Sequence, residues 1–150
     1  MEVFRICSEK YSRSLIPSGI ANRWNDRGQK VVYAGSSRSL ATLEMVVHRI
    51  ALIPTQTYKV LVISIPDDDR FVKQVRVSNL PDNWRTLAAY PSLQKIGSDW
   101  YKKRETLLLK VPSAVIPLEH NFIINTEHPD YEAAIKLVRA EDCFWDERLI

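Results

Sequence analysis

The chain predicts an α+β fold in one compact domain covering residues 1–150, on three observations. Segments with helical apolar spacing and segments rich in β-branched residues follow one another without the regular alternation of a doubly wound sheet. At 150 residues, 45% of them apolar, the chain is long enough for one ordinary core and too short for two domains of typical size. No repeat and no low-complexity tract breaks it up.

The elements follow in order. Val3 to Cys7 is a short apolar segment with Arg5 inside it. The polar stretch from Ser8 to Gly28, with Pro17 and Gly19, is long for an irregular loop, and such loops are often functional. Lys30 to Ala34 reads as a buried strand that leads through Gly35 into a helix, Ser37 to Ile50. In that helix Leu40, Leu43, Val47 and Ile50 recur at steps of three and four, and Ser36 or Ser37 can cap its start. Tyr58 to Ile65 is β-branched and bounded by Pro66 and an Asp67 to Asp69 turn, which marks a central strand. Phe71 to Val77 alternates and reads as a more exposed strand.

Trp84 to Lys103 reads as helix in two pieces, broken at Tyr90 and Pro91. Thr106 to Val111 and Val115 to Pro117 are expected as strands around a turn at Pro112 and Ser113, with Asn121 to Asn125 as another short strand. Asp130 is placed to cap a last helix running to about Val138. The amphipathic end, Phe144 to Leu149, is expected to pack on the domain or on a partner, and the four tryptophans read as core or interface fillers.

Charge and cysteine content narrow the function classes. Twenty-one basic against eighteen acidic residues give a net charge of +3 with no run of one sign, which favours a small anionic ligand over nucleic acid. Glu2, Arg5, Glu9, Lys10 and Arg13 leave no room for the apolar core of a secretory signal, and no run approaches a membrane span. Cys7 and Cys143 lie near opposite ends, and no Cys or His spacing suggests a metal site. A reducing cytoplasm is the simplest setting.

Glu44 is the most informative single residue. At about 100° per residue it falls on the face of Leu40 and Val47, within an apolar stripe of Leu40, Leu43, Val47 and Ala51. An ionised carboxylate buried without partners costs several kcal/mol, comparable with the stability of a whole domain. Two readings stand: a core ion pair with an arginine, or a catalytic carboxylate lining a pocket. His48, one turn further on, reads as lying off that face, as a surface or satisfied helix residue.

Four segments together resemble the RES domain, a family named for its Arg, Glu and Ser. They are Asn22-Arg23-Trp24-Asn25 with Gly28, Val32-Tyr33, Leu40-Ala41-Thr42-Leu43-Glu44, and Val111-Pro112-Ser113-Ala114-Val115. The likeness extends to Val3-Phe4-Arg5-Ile6, to Ile96-Gly97 with Trp100, and to Asn121, Asn125, His128 and Pro129, so it spans nearly the whole chain in order. It departs from the family at Asn22, where a glycine is common, and at Thr126, where a proline is common.

The resemblance implies a mixed, mostly antiparallel sheet flanked by helices, similar to ADP-ribosyltransferases. It also implies the toxin half of a toxin–antitoxin pair that consumes NAD, with no resident cofactor, NAD as substrate and inorganic phosphate as a possible co-substrate. The expected partner is an Xre-type antitoxin, with the toxin a homodimer inside the larger complex. Glu44, Arg23, Tyr33 and Ser113 are the implied catalytic residues; Arg23, Tyr33, Arg5, Ser113 and Asn121 are the implied substrate contacts.

These residue types suit the chemistry. Breaking the bond between nicotinamide and ribose passes through an oxocarbenium-like sugar, which Glu44 would stabilise while orienting or activating a water or phosphate. Arg23 offers a planar fork to a pyrophosphate, and Tyr33 a ring to stack on nicotinamide or ribose. Ser113 would hold Glu44 or a substrate oxygen in place, and no histidine is placed to make it a nucleophile. Arg5 is open between a second phosphate contact and an internal ion pair. Asn121, Asn125 and His128 also suit turns. Transfer of ADP-ribose to a protein side chain is the alternative enzyme reading; a catalytically silent module for the antitoxin or an anion is the alternative from another class.

Overall fold

The structure is a computed structural model, and it describes residues 1–48 and 56–149. Seven strands form one mixed sheet: β1 (Glu2–Ser8), β2 (Val31–Gly35), β3 (Tyr58–Ser64), β4 (Val72–Gln74), β5 (Leu108–Pro112), β6 (His120–Asn125) and β7 (Lys136–Asp142). Their order across the sheet is β4-β5-β6-β2-β1-β3-β7. Every neighbouring pair is antiparallel except β4 with β5. Three helices accompany them: α1 (Arg38–Val47), α2 (Tyr90–Lys103) and the single turn α3 (Tyr131–Ala134). The α+β class and the mostly antiparallel sheet expected from the sequence are the architecture found.

Alternation along the strands divides the core. One face carries Val3, Val32, Leu61, Ile63, Leu108 and Ile124, against which Ile135 and other residues outside the sheet close. On the other face Phe4, Ile6, Val60 and Val62 meet Ala41 of α1. Further along, Val31, Leu109, Val111 and Ile123 meet Leu93 and Trp100 of α2, together with Trp24. Phe4 pairs with Gly35, an even number of residues from Val31, so both helices lie on this one face. Full burial of each such aliphatic side chain contributes about 1.5–3 kcal/mol.

Several boundaries differ from the sequence reading. Residues 115–117 form a bend and turn between β5 and β6, not a strand, and Leu118 completes it at φ 68°, 97% exposed. The expected last helix stops after one turn at Ala134, and Asp130 gives it no side-chain cap. Ile135 is extended, and the chain continues as β7 along β3. The open edge of β3 supplies backbone partners there, and a tertiary ladder outweighs the weak helical preference of so short a segment.

Tyr58–Ser64 is therefore second from the edge, not central. Of Phe71 to Val77 only Val72–Gln74 is strand. Helix α2 begins at Tyr90 after a 3₁₀ turn at Leu87–Ala89, with Pro91 accommodated in its first turn, so Trp84 to Thr86 are not helical.

On α1 the stripe is rotated from the expected one. Ser37 caps the helix by accepting from the Leu40 amide at 3.0 Å. Leu40 and Ala41 are buried, Leu43 is half-buried, and Val47 is 60% exposed. Ile50 and Ala51 lie outside the described residues.

Candidate functional site

The site begins with a gap in the sheet. β1 and β2 are neighbours, yet their ladder holds a single pair, Phe4 with Gly35, whereas β1 pairs with β3 along its whole length. Beyond that pair the strands part, and a cavity of about 330 Å³ opens at the seam. It is lined by Phe4 to Ile6 of β1, by Val31 and Tyr33 to Gly35 of β2, by residues of the 18–29 loop, and by Ala41, Glu44, Met45 and His48 on α1. Gly35 lets the helix start come this close, since a Cβ there would lie 3.1 Å from the Ala41 amide nitrogen.

Glu44 is half-buried on the cavity wall. Its Oε1 accepts two hydrogen bonds, from Ser113 Oγ at 2.9 Å and from Asn121 Nδ2 at 2.7 Å. The Ser113 hydroxyl itself accepts from the amides of Val115 and Ile116, each at 3.1 Å. With its lone pairs taken by these amides, its one proton is directed at Glu44. Ser113 is thereby a clamp on the carboxylate. The bend that replaced the expected strand at 115–117 is what brings those amides round.

Among the described residues no cation pairs with Glu44. The core ion pair with an arginine, one of the two readings open from the sequence, is absent there. Two neutral donors hold one oxygen, and among the described residues Oε2 has no protein donor.

Among the described residues the cation that lines the cavity is Arg5. It is half-buried and lines the cavity, and among the described residues its guanidinium has no hydrogen bond, ion pair or ring contact. Burial pulls its pKa below the ordinary arginine value, with Cys7 acting weakly the other way. A desolvated cation without a carboxylate suits an anionic ligand better than an empty cavity.

Tyr33 contributes its ring to the wall while its hydroxyl is engaged. The OH donates to Asn25 Oδ1 at 2.7 Å and accepts from the Trp24 amide at 3.1 Å. Burial pushes its pKa well up, so it stays a neutral phenol. Asn25, fully buried, also donates to the carbonyls of Ile20 and Asp26, each at 3.0 Å, and so holds the loop that closes the cavity. Helix α2 fixes the same loop through Gln94 to the Asn22 carbonyl and Ser98 to Gln29.

Arg23 stands apart from the cavity lining. Its Nη1 donates to the Trp84 carbonyl at 2.8 Å and its guanidinium lies 4.8 Å from the Tyr90 ring centroid. The structure thus brings Glu44, Ser113, Asn121, Tyr33 and Arg5 together and leaves Arg23 on the α2 side of the loop. Asn125 and His128 do fix a turn, with Asn125 Oδ1 accepting from the Glu127 amide and His128 Nδ1 from the Asp130 amide. Among the described residues no group of three or more His, Cys, Asp or Glu side chains is placed to hold a metal ion.

His48 is exposed at the end of α1 and satisfied by its own helix, as the sequence suggested, but it borders the cavity rather than lying off the Glu44 face. It lines the cavity with Glu44, and its Nδ1 lies 2.7 Å from the Glu44 backbone carbonyl. Ala41, Glu44, Met45 and His48 recur at i, i+3, i+4 and i+7, a spacing as helical as that of the leucines. Reading the face one residue further along would have found it.

The RES domain family model matches residues 2–146. The chain belongs to the RES domain family. Among its RES relatives, a protein named Prs ADP-ribosylating toxin from Sphingobium sp. (strain YBL2) is 39% identical over 130 residues, covering 85% of this chain and 80% of that one. A protein named Toxin Res from Yersinia enterocolitica is 30% identical over 153 residues, 99% of each chain. The fold is similar to a chain in the crystal structure of the M. tuberculosis MbcT–MbcA toxin–antitoxin complex, with a TM-score of 0.73 and 14% identity over 95% of this RES chain and 83% of that one.

Proposed function

We propose that this RES protein is the toxin of a toxin–antitoxin pair and that it consumes NAD at the β1–β2 seam. The nicotinamide–ribose bond breaks, and ADP-ribose passes to phosphate or water. The observation that carries the reading is the pairing, in one cavity, of a carboxylate clamped by Ser113 and Asn121 with the unpartnered cation of Arg5. The names of the relatives support a toxin that handles ADP-ribose. A cavity of about 330 Å³ accommodates the nicotinamide riboside end of the dinucleotide, the diphosphate lying toward Arg5.

In the bond-breaking step the C1–N bond of the ribose lengthens and its electron pair neutralises the nicotinamide ring, while positive charge gathers on the sugar. Glu44 Oε2 faces that charge, or a ribose hydroxyl, and Ser113 and Asn121 keep the carboxylate from turning away. The Tyr33 ring supplies a stacking surface. Arg23 would reach the distal phosphate or adenosine from the far side of the loop, with the two guanidinium nitrogens that Trp84 leaves unused. The expected partner is an Xre-type antitoxin, and the expected assembly a homodimer of the toxin in a complex in the cytoplasm; no helix among the described residues is long and apolar enough to cross a membrane.

Transfer to a protein side chain uses the same first step and is favoured by the name of the Sphingobium relative. Purified protein free of any partner, incubated with NAD in phosphate and in phosphate-free buffer, tests the proposal. Nicotinamide release that depends on Glu44 supports it, and the mass of the ribosyl product separates phosphate, water and protein as acceptors. No release from folded protein in any buffer or with any protein acceptor would refute it.

A further inference from the structure

We propose that His48 is the general base that takes the proton of the incoming nucleophile, so that this site serves an acceptor which gives up a proton on attack, such as water or a hydroxyl. The inference rests on the NAD-consuming reading and deepens it. His48 lines the same cavity as Glu44 and is fixed there by its own helix, its Nδ1 lying 2.7 Å from the Glu44 carbonyl. A carbonyl oxygen only accepts, so Nδ1 carries the hydrogen. In the neutral ring the lone pair is then on Nε2, which has no partner among the described residues.

Glu44 is poorly suited to this task. Ser113 and Asn121 both donate to its Oε1 and hold the carboxylate in one orientation, committed to the sugar. It serves the charge on the sugar, and another group must receive the proton. Among the described residues the other ionisable side chains facing the cavity are Arg5 from β1 and Tyr33 from β2; the loop from Ser18 to Gln29 presents only neutral ones. Arg5 is a cation, and the Tyr33 hydroxyl is held by Asn25 and Trp24. His48 is the acceptor that remains.

The step balances. The nucleophile's oxygen forms a bond to ribose C1 as the C1–N bond breaks, with that electron pair returning to the nicotinamide nitrogen. Its proton passes to Nε2, giving an imidazolium that still donates through Nδ1 to the Glu44 carbonyl. A phosphate attacks through an oxygen that is already an anion, so no proton has to leave it in this step and it would not need His48.

Nicotinamide release is measured across about pH 5 to 8, where imidazoles titrate, in phosphate-free buffer with and without methanol as a hydroxyl probe, and again with saturating phosphate. Wild type is expected to yield ADP-ribose, or its methyl glycoside with methanol, the two products separating water from hydroxyl acceptors. H48Q is expected to lose about 100-fold in both phosphate-free arms, to lose the fall in rate toward low pH, to bind NAD unchanged, and to keep its phosphate-supported rate. Added imidazole is expected to restore H48A. H48Q with wild-type rate and pH profile, or weakened in NAD binding without imidazole rescue of H48A, overturns the assignment. E44Q separates the two proposals: wild-type release that survives E44Q refutes the site, and release lost in E44Q but kept in H48Q refutes His48 alone.

Discussion

The two long helices cover the same face of one sheet and do so differently. Helix α2 packs: Leu93, Gly97, Ser98 and Trp100 are buried against β2, β5, β6 and Trp24. The approach is so close that a Cβ on Gly97 would stand 1.7 Å from the Trp24 carbonyl oxygen. Helix α1 stands off, burying only Leu40 and Ala41, and turns Glu44, Met45 and His48 toward a cavity. The sheet repeats the contrast, for the ladder between β2 and β6 is complete, whereas that between β2 and β1 has one pair. One half of the face holds the fold together, and the seam beside it is left open as a cavity.

The largest effect expected is on turnover. E44Q keeps the size of the side chain and removes the charge that Ser113 and Asn121 hold, so on the proposed reading nicotinamide release should fall about 1000-fold, equivalent to about 4 kcal/mol of barrier. The urea midpoint should stay near wild type. A variant that unfolds would mean that Glu44 belongs to the packed half after all.

Next come substitutions that tell the helices apart by stability. G97A should cost about 3 kcal/mol, because the Trp24 backbone cannot move away without repacking the core. L93A should cost a similar amount, about 3 kcal/mol, by leaving a cavity. M45A on α1 should cost about 1 kcal/mol, since its side chain already borders open space. Equal losses in the urea transitions of L93A and M45A would erase the distinction between the helices. G97A should also reduce NAD turnover, since the loop it disturbs walls the cavity.

Y33F lies where the two halves meet. It removes the hydroxyl between the Trp24 amide and Asn25, leaving buried polar groups unpaired, and should cost about 2 kcal/mol. Faster hydrogen exchange at residues 20–26 would localise that loss to the loop; protection unchanged there would show that α2 alone holds it.

The smallest effect is a dependence on pH at the outer edge. Arg38, at the start of α1, makes a bidentate pair with Glu141 on β7, and Arg139 joins it. The Arg38 hydrogen bonds lower the Glu141 pKa from its ordinary 4.5 to about 2. A depressed carboxylate contributes stability above its unfolded value and loses it as pH falls through the folded one. The gap between wild type and E141Q in urea midpoint should therefore be fully present at pH 5 and above and close between about pH 4.5 and 2. The pair is exposed, so the gap is small and shrinks in salt. A gap that persists at pH 2 would assign it to packing.

Part of the site could be read directly. Glu44 stood out because helical spacing alone put a carboxylate among leucines, and the motif resemblance added Ser113, Tyr33, Arg5 and Asn121, all of which meet at or around the seam. Arg23 was legible as a functional type but not as a position, because the turn of the loop that sends it toward Trp84 and Tyr90 depends on α2, seventy residues away. His48 was present in the same periodicity and assigned to the wrong side by a choice of stripe only one residue out.

The sequence by itself determined the class of fold, the strands through Val3, Val32, Leu61 and Ile123 and the helix start at Ser37. These follow from local spacing, capping and burial preference, which act within a few residues. Tertiary structure alone decided that Tyr131 to Asp142 is mostly strand, because the free edge of β3 offered partners that no local propensity reveals. It also decided that β1 and β2 part after a single pair, and that Glu44 is held by neutral donors sixty-nine and seventy-seven residues away. Such contacts depend on which side chains meet after the chain has closed, and a carboxylate's neighbours there are set by the register of β2 on β6 and by the bend at 115–117, not by anything adjacent to it in sequence.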